Sequence, residues 1–301
     1  MKNGLIRIVS SSDRKALERV FARRSRRLDA AERTVAPILA AVRREGDRAL
    51  VRYARKWDGF EGKSAAALAV PPEAMAAAWR RVPPQFRRAV HEAARNIRAF
   101  CRLQMPSEWS KPIRHGIRAG QLVRPLDSVG CYIPSGRYPL PSTLLMTAIP
   151  AQVAGVLRIA VCTPHPAPEI LAVAHALGIT EMYAVGGAQA IAALAYGTKT
   201  IAAVAKIVGP GNAYVGAAKR AVSRDTAVEF VAGPTEVLVI AEDGSPAWLA
   251  ADLLAQAEHD VDAAALLITT SSKLAAAVAR ELEGQLASLQ IGRASCRERV
   301  C

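Results

Sequence analysis

Leu157-Arg158-Ile159-Ala160-Val161-Cys162 is a short apolar run bounded by Thr163-Pro164, and an alanine-rich helical segment follows it from Pro168 to Leu177. After Gly178 the pattern repeats: Glu181-Met182-Tyr183-Ala184-Val185, then Gly186-Gly187-Ala188-Gln189-Ala190 opening the next helix. Strand, helix, strand, helix in this order is the βαβ signature of a parallel sheet covered by helices. The alternation extends both ways. Strands are expected at 129–133, 204–208 and 227–231, and helices at 143–154, 188–195 and 213–223. A strand at 236–241, a helix at 246–255, a strand at 263–270 and a helix at 272–289 begin a second α/β unit.

Residues 12–104 read as helical. Ser11 or Ser12 can cap a helix starting near Asp13, and a longer helix runs from 29 to 57, ending at Asp58-Gly59. Pro71-Pro72 and Pro83-Pro84 open two more, the latter carrying Phe86, Val90, Ile97 and Phe100 inward at helical spacing. Residues 105–117 read as a connecting loop. The expected organisation is a helical N-terminal region (1–120) packing with the second α/β unit, an α/β domain over 121–234, and the second unit over 235–290.

With 301 residues, 51% hydrophobic, the chain is long enough for a well-buried core and about two domains. It has no run of eighteen apolar residues and no signal-like apolar segment near Met1, so a cytoplasmic protein without membrane spans is expected. Cys101, Cys131, Cys162, Cys296 and Cys301 share no CxxC spacing and read as reduced thiols. The net charge of +14 invites a nucleic-acid reading. Yet arginines such as Arg14, Arg19, Arg43, Arg48, Arg52 and Arg55 fall on predicted helices, where they read as solvated faces. No RNP aromatics, C2H2 spacing or helix-turn-helix pattern accompanies them.

Ligands of open α/β sheets bind beyond the carboxyl ends of the strands. The loops there are Cys131-Tyr132-Ile133-Pro134-Ser135-Gly136-Arg137-Tyr138-Pro139, Gly186-Gly187-Ala188-Gln189 and Gly209-Pro210-Gly211-Asn212. Glycine turns opening helices can offer N–H groups to a phosphate, while Gln189 and Asn212 can bond ribose, phosphate or a base. No GxGxxG is present, so an ordinary dinucleotide fingerprint is not supported. Further on, Gln256 and His259 stand three apart in Ala255-Gln256-Ala257-Glu258-His259-Asp260, a spacing that lets two helical side chains converge, and imidazole suits zinc. Ala232-Gly233-Pro234-Thr235-Glu236 would bring a hydroxyl to the same rim.

These segments, together with Arg124-Pro125-Leu126-Asp127-Ser128-Val129-Gly130 and Leu140-Pro141-Ser142-Thr143, resemble the histidinol dehydrogenase family in order and detail from about residue 12 to about residue 289. The resemblance implies incomplete Rossmann-like domains in a homodimer. It implies a zinc-dependent enzyme, one metal ion per subunit, oxidising L-histidinol to L-histidine through an aldehyde with two NAD+. By position, Tyr132, Gln189 and Asn212 look like the NAD contacts. Gln256 and His259 look like zinc ligands that also meet substrate, and Thr235 stands where many members have a substrate-touching serine.

The family's catalytic Glu-His pair, and the aspartate and second histidine that complete its zinc site, lie beyond the matching region. Residues 291–301 lack helical periodicity and resemble an in-frame translation of a sequencing adapter. The chain is therefore expected to be a fragment with no catalytic residue of its own and to be inactive alone; His91, His115, His165 and His175 do not obviously substitute. Two other readings stay open: a relative oxidising another small polar alcohol such as a sulfonated diol, and a non-catalytic nucleotide- or RNA-binding α/β protein.

Overall fold

In the computed structural model, the described residues are 6, 8–135, 139–230, 236–259 and 263–288, with the side chains of 19–29, 259 and 288 outside the description. The chain divides into two compact units, residues 30–231 and residues 1–29 with 232–301.

Helix α1 (Arg14–Glu45) starts after Asp13, whose Oδ1 accepts the Ala16 N–H at 3.0 Å, so the cap is Asp13 rather than Ser11 or Ser12. Gly46, at φ +57, interrupts the single helix expected over 29–57 and starts α2 (Asp47–Trp57). A 3-10 turn follows at Ala65–Leu68. Helices α3 (Pro72–Arg81) and α4 (Pro84–Leu103) open on prolines at their first turns, as expected. On α4, Val90 is buried and Phe86 and Ile97 pack against the core, but Phe100 is exposed. At 3.6 residues per turn it lies about 80° round the helix from Val90, at the margin of the stripe.

Where a loop was expected, β1 (Trp109–Arg114) and β2 (Ile117–Gln121) form an antiparallel hairpin, turning at Gly116 with φ +76. Every residue of both strands is exposed, so no buried face imposes the alternation that announces a strand.

The remaining elements of the larger unit run β3 (Ser128–Tyr132), α5 (Pro141–Val153), β4 (Arg158–Cys162), α6 (Pro168–Ala176), β5 (Glu181–Tyr183), α7 (Gly187–Tyr196), β6 (Lys206–Val208), α8 (Ala213–Val222) and β7 (Ala227–Val228). The five strands form a parallel sheet in the order β5-β4-β3-β6-β7, the doubly wound arrangement. Successive residues of a strand point to opposite faces. Val129, Cys131 and Val161 accordingly join a core with α3, α4, α5 and α6, while Tyr132, Ala160 and Cys162 join one with α2, α7, α8 and residues 31–42 of α1.

Within the larger unit, the helices between residues 30 and 103 therefore pack on the five-stranded sheet. Their apolar stripes cover the two faces that α5 to α8 leave incomplete. In the smaller unit, β8 (Glu236–Ile240) pairs in parallel with β9 (Ala264–Ile268). Helices α9 (Pro246–His259) and α10 (Ser272–Ser288) enclose a core of Leu253, Leu254, Ala257, Leu274, Val278 and Leu282. Helix α9 runs past the expected end at Ala255, so Gln256 and His259 share its last turn. Among the described residues no helix is long and apolar enough to cross a membrane.

Candidate functional site

In the order β5-β4-β3-β6-β7 the chain reverses direction across the sheet between β3 and β6, the point at which open α/β sheets form their ligand crevice beyond the carboxyl ends. Tyr132 is the last residue of β3 and is 3% exposed. Gly209 follows β6 with φ +114, and a Cβ placed on it would stand 2.0 Å from the Tyr132 carbonyl oxygen. Only glycine allows the two backbones to come this close.

Tyr132 also reaches the turn after β5. Its Oη accepts the Gly187 N–H at 3.0 Å, and burial pushes its phenol up to about 12, so it stays neutral. Next to it, Asp58 Oδ2 accepts the Gly186 N–H and a Gln189 Nε2 hydrogen, both at 3.1 Å. Asp58 is the C-cap of α2, and Gln189 is 1% exposed in the first turn of α7. Burial raises the Asp58 carboxyl above its ordinary value, while the Gly186 and Gln189 hydrogen bonds pull the other way.

At the other turn Asn212 is the N-cap of α8. Its Oδ1 accepts the N–H groups of Tyr214 and Val215 at 3.1 Å each. Gly209 is held from beneath: its N–H donates to Glu229 Oε1 at 2.7 Å, and Lys219 Nζ donates to its carbonyl at 2.8 Å and to Glu229 Oε1 at 2.6 Å. Burial draws the Lys219 ammonium below its ordinary value, partly offset by Glu229.

These contacts revise one expectation. From sequence, the glycine turns are expected to offer open N–H groups to a phosphate. In the structure the N–H of Gly186 goes to Asp58, that of Gly187 to Tyr132 and that of Gly209 to Glu229. Carboxylates of the chain itself already complement two of the three.

Tyr132, Gln189 and Asn212 are thus linked through Asp58, Gly187 and Gly209 within the larger unit. Gln256, half-buried, and His259 belong to the smaller unit on α9, and Thr235 lies outside the described residues. Among the described residues no group of three or more His, Cys, Asp or Glu side chains could hold a metal. Sequence reading missed Asp58, Lys219 and Glu229. Asp58 lies 131 positions from Gln189, and Lys219 stands on a helix, ten positions from Glu229. No spacing rule joins them.

The family model for histidinol dehydrogenase matches residues 21–299. Histidinol dehydrogenase of Methanothermobacter thermautotrophicus is 50% identical over 248 residues, covering 80% of this chain and 57% of its own length. That of Geobacillus kaustophilus is 48% identical over 264 residues, covering 85% and 61%. A crystal structure of histidinol dehydrogenase from Elizabethkingia anophelis matches with TM-score 0.79 at 34% identity, over 98% of this chain and 66% of that one. The chain spans about three fifths of the length of these two curated relatives.

Proposed function

The chain belongs to the histidinol dehydrogenase family, and we propose that it supplies the cofactor-binding side of an NAD-linked oxidation of L-histidinol to L-histidine. The observation that carries this reading is the seating of Gly209 against Tyr132 at the point where the sheet order reverses, flanked by Gln189 and Asn212. A dinucleotide laid across that crevice would meet Tyr132, the Gln189 amide and the Asn212 amide.

The substrate side is the carboxyl end of α9. Gln256 and His259 stand three apart on one helix, so an amide oxygen and an imidazole nitrogen can converge on one zinc ion, and Thr235 would add a hydroxyl toward substrate. Bound zinc would orient the imidazole and amine of histidinol, and NAD+ would accept the hydride. Each oxidation releases one hydride and one proton. Taking the alcohol to the acid needs two NAD+ and one water. The base that removes the proton is not assigned to any residue of this chain.

A homodimeric, cytoplasmic protein fits this reading. The exposed hairpin, with Trp109 and Ile113 on β1, and the exposed Phe100, Leu103 and Leu122 beside it in the sequence are apolar surface suited to a second copy. Calorimetric titration of L-histidinol into the zinc-loaded chain tests the substrate side. Zinc-dependent binding that disappears in His259→Ala and Gln256→Ala is expected. Binding that is indifferent to zinc, or intact in both variants, would overturn the assignment.

A further inference from the structure

The pair Lys219–Glu229 has no part in the reading above, and its geometry is unusual for a pair that serves stability alone. Lys219 is 2% exposed. Glu229 Oε1 takes two hydrogen bonds, from Lys219 and from the Gly209 N–H, while Glu229 Oε2 is buried without a partner. Burying an ammonium beside a half-satisfied carboxylate costs desolvation that the mutual attraction only partly offsets, and a well-packed apolar pair is often as stable or more so. Such a pair is better explained by what it holds in place.

What it holds is one residue. Gly209 has left the ladder at φ +114, against the Tyr132 carbonyl, and its own N–H and carbonyl have no strand to pair with. Glu229 accepts from the first at 2.7 Å and Lys219 donates to the second at 2.8 Å. The two side chains close on each other at 2.6 Å, so the peptide groups on both sides of Gly209 are clamped. Asn212, three residues on, is the N-cap of α8, and Lys219 reaches back from the same helix. The clamp therefore sets the path from the end of β6 to Asn212, and with it the distance between Asn212 and Tyr132.

We propose that Lys219 and Glu229 are positioning residues for cofactor binding, acting through Gly209 on Asn212 and Tyr132. This rests on reading those two residues as NAD contacts. The test is NADH titration, with thermal melting alongside, of the wild-type chain, Lys219→Met, and Lys219→Met/Glu229→Gln. The single variant leaves a buried carboxylate unpaired and should lose both stability and NADH affinity. The double variant removes the stranded charge and should regain much of the melting temperature. Its Gln still accepts the Gly209 N–H, but the Gly209 carbonyl has lost its charged donor, so NADH affinity should stay about tenfold or more below wild type.

Affinity that recovers together with the melting temperature, or is unchanged in both folded variants, would make the pair structural only and overturn the proposal. Absence of saturable NADH binding by the wild-type chain would instead remove the cofactor reading on which the proposal rests, and the proposal with it.

Discussion

The Gln189 side chain donates from Nε2 to Asp58 Oδ2 at 3.1 Å, joining the first turn of α7 to the C-cap of α2 across 131 positions of sequence. The same carboxylate oxygen takes the Gly186 N–H. One aspartate thus fixes both the glycine turn after β5 and the amide read as a cofactor contact. Removing it as Asp58→Ala leaves two donors unsatisfied, with an expected loss of about 1–3 kcal/mol. Chemical denaturation measures that loss, and NADH affinity should fall with it.

Asp58 also gives a pH signature. Its folded carboxyl titrates above its ordinary value of 3.8, so the folded state holds the proton more tightly than the unfolded chain. Stability from this group is therefore present at low pH and declines as pH rises from near 3.8 through the raised folded value. Asp58→Asn removes the titration. The stability of wild type relative to Asp58→Asn should fall with rising pH across that window, as read from urea midpoints. A flat or rising difference would contradict the burial effect.

Gly209→Ala should be among the most damaging single-methyl changes in the molecule. It combines φ +114 with a Cβ 2.0 Å from the Tyr132 oxygen, and a cost of about 3 kcal/mol or more is expected. Gly178→Ala is the matched control. Its φ is +68 but nothing lies within 4 Å of the added carbon, so only the left-handed backbone cost of about 1–2 kcal/mol applies. Equal melting temperatures for the two variants would contradict the close approach of Gly209 to β3.

At Asn212, capping and cofactor contact can be separated. Asn212→Ala removes the acceptor for Tyr214 and Val215 and should cost about 1 kcal/mol. Asn212→Asp keeps that acceptor, so stability should stay within about 0.5 kcal/mol of wild type. It loses the amide donor and adds a negative charge, so NADH should bind more weakly to both variants. An unchanged affinity in Asn212→Asp would reduce Asn212 to a cap.

The Rossmann-like half was legible because each strand from 128 to 208 is buried enough to be apolar, and each helix opens on a proline, glycine or asparagine that marks its start. The hairpin was not, since exposed strands carry no alternation. Gly46 hid inside a helical run because amphipathic periodicity resumes immediately after it. Of the candidate site, the positions of Tyr132, Gln189 and Asn212 at strand and helix ends could be read in advance. Their partners could not. Asp58, Lys219 and Glu229 reach the turns through tertiary packing, and each carboxylate fills a slot that reading the turn alone assigns to a phosphate.

The most direct test of the cofactor site is equilibrium titration of NADH into the purified 301-residue chain, followed by nucleotide fluorescence, with Gln189→Ala and Asn212→Asp as companions. Saturable binding of one NADH per chain is expected, weakened about tenfold or more in each variant, as the loss of an amide contact to the nucleotide implies. No saturable binding by the wild-type chain, or equal affinity in all three proteins, would contradict the assignment of the crevice between β3 and β6 to the cofactor.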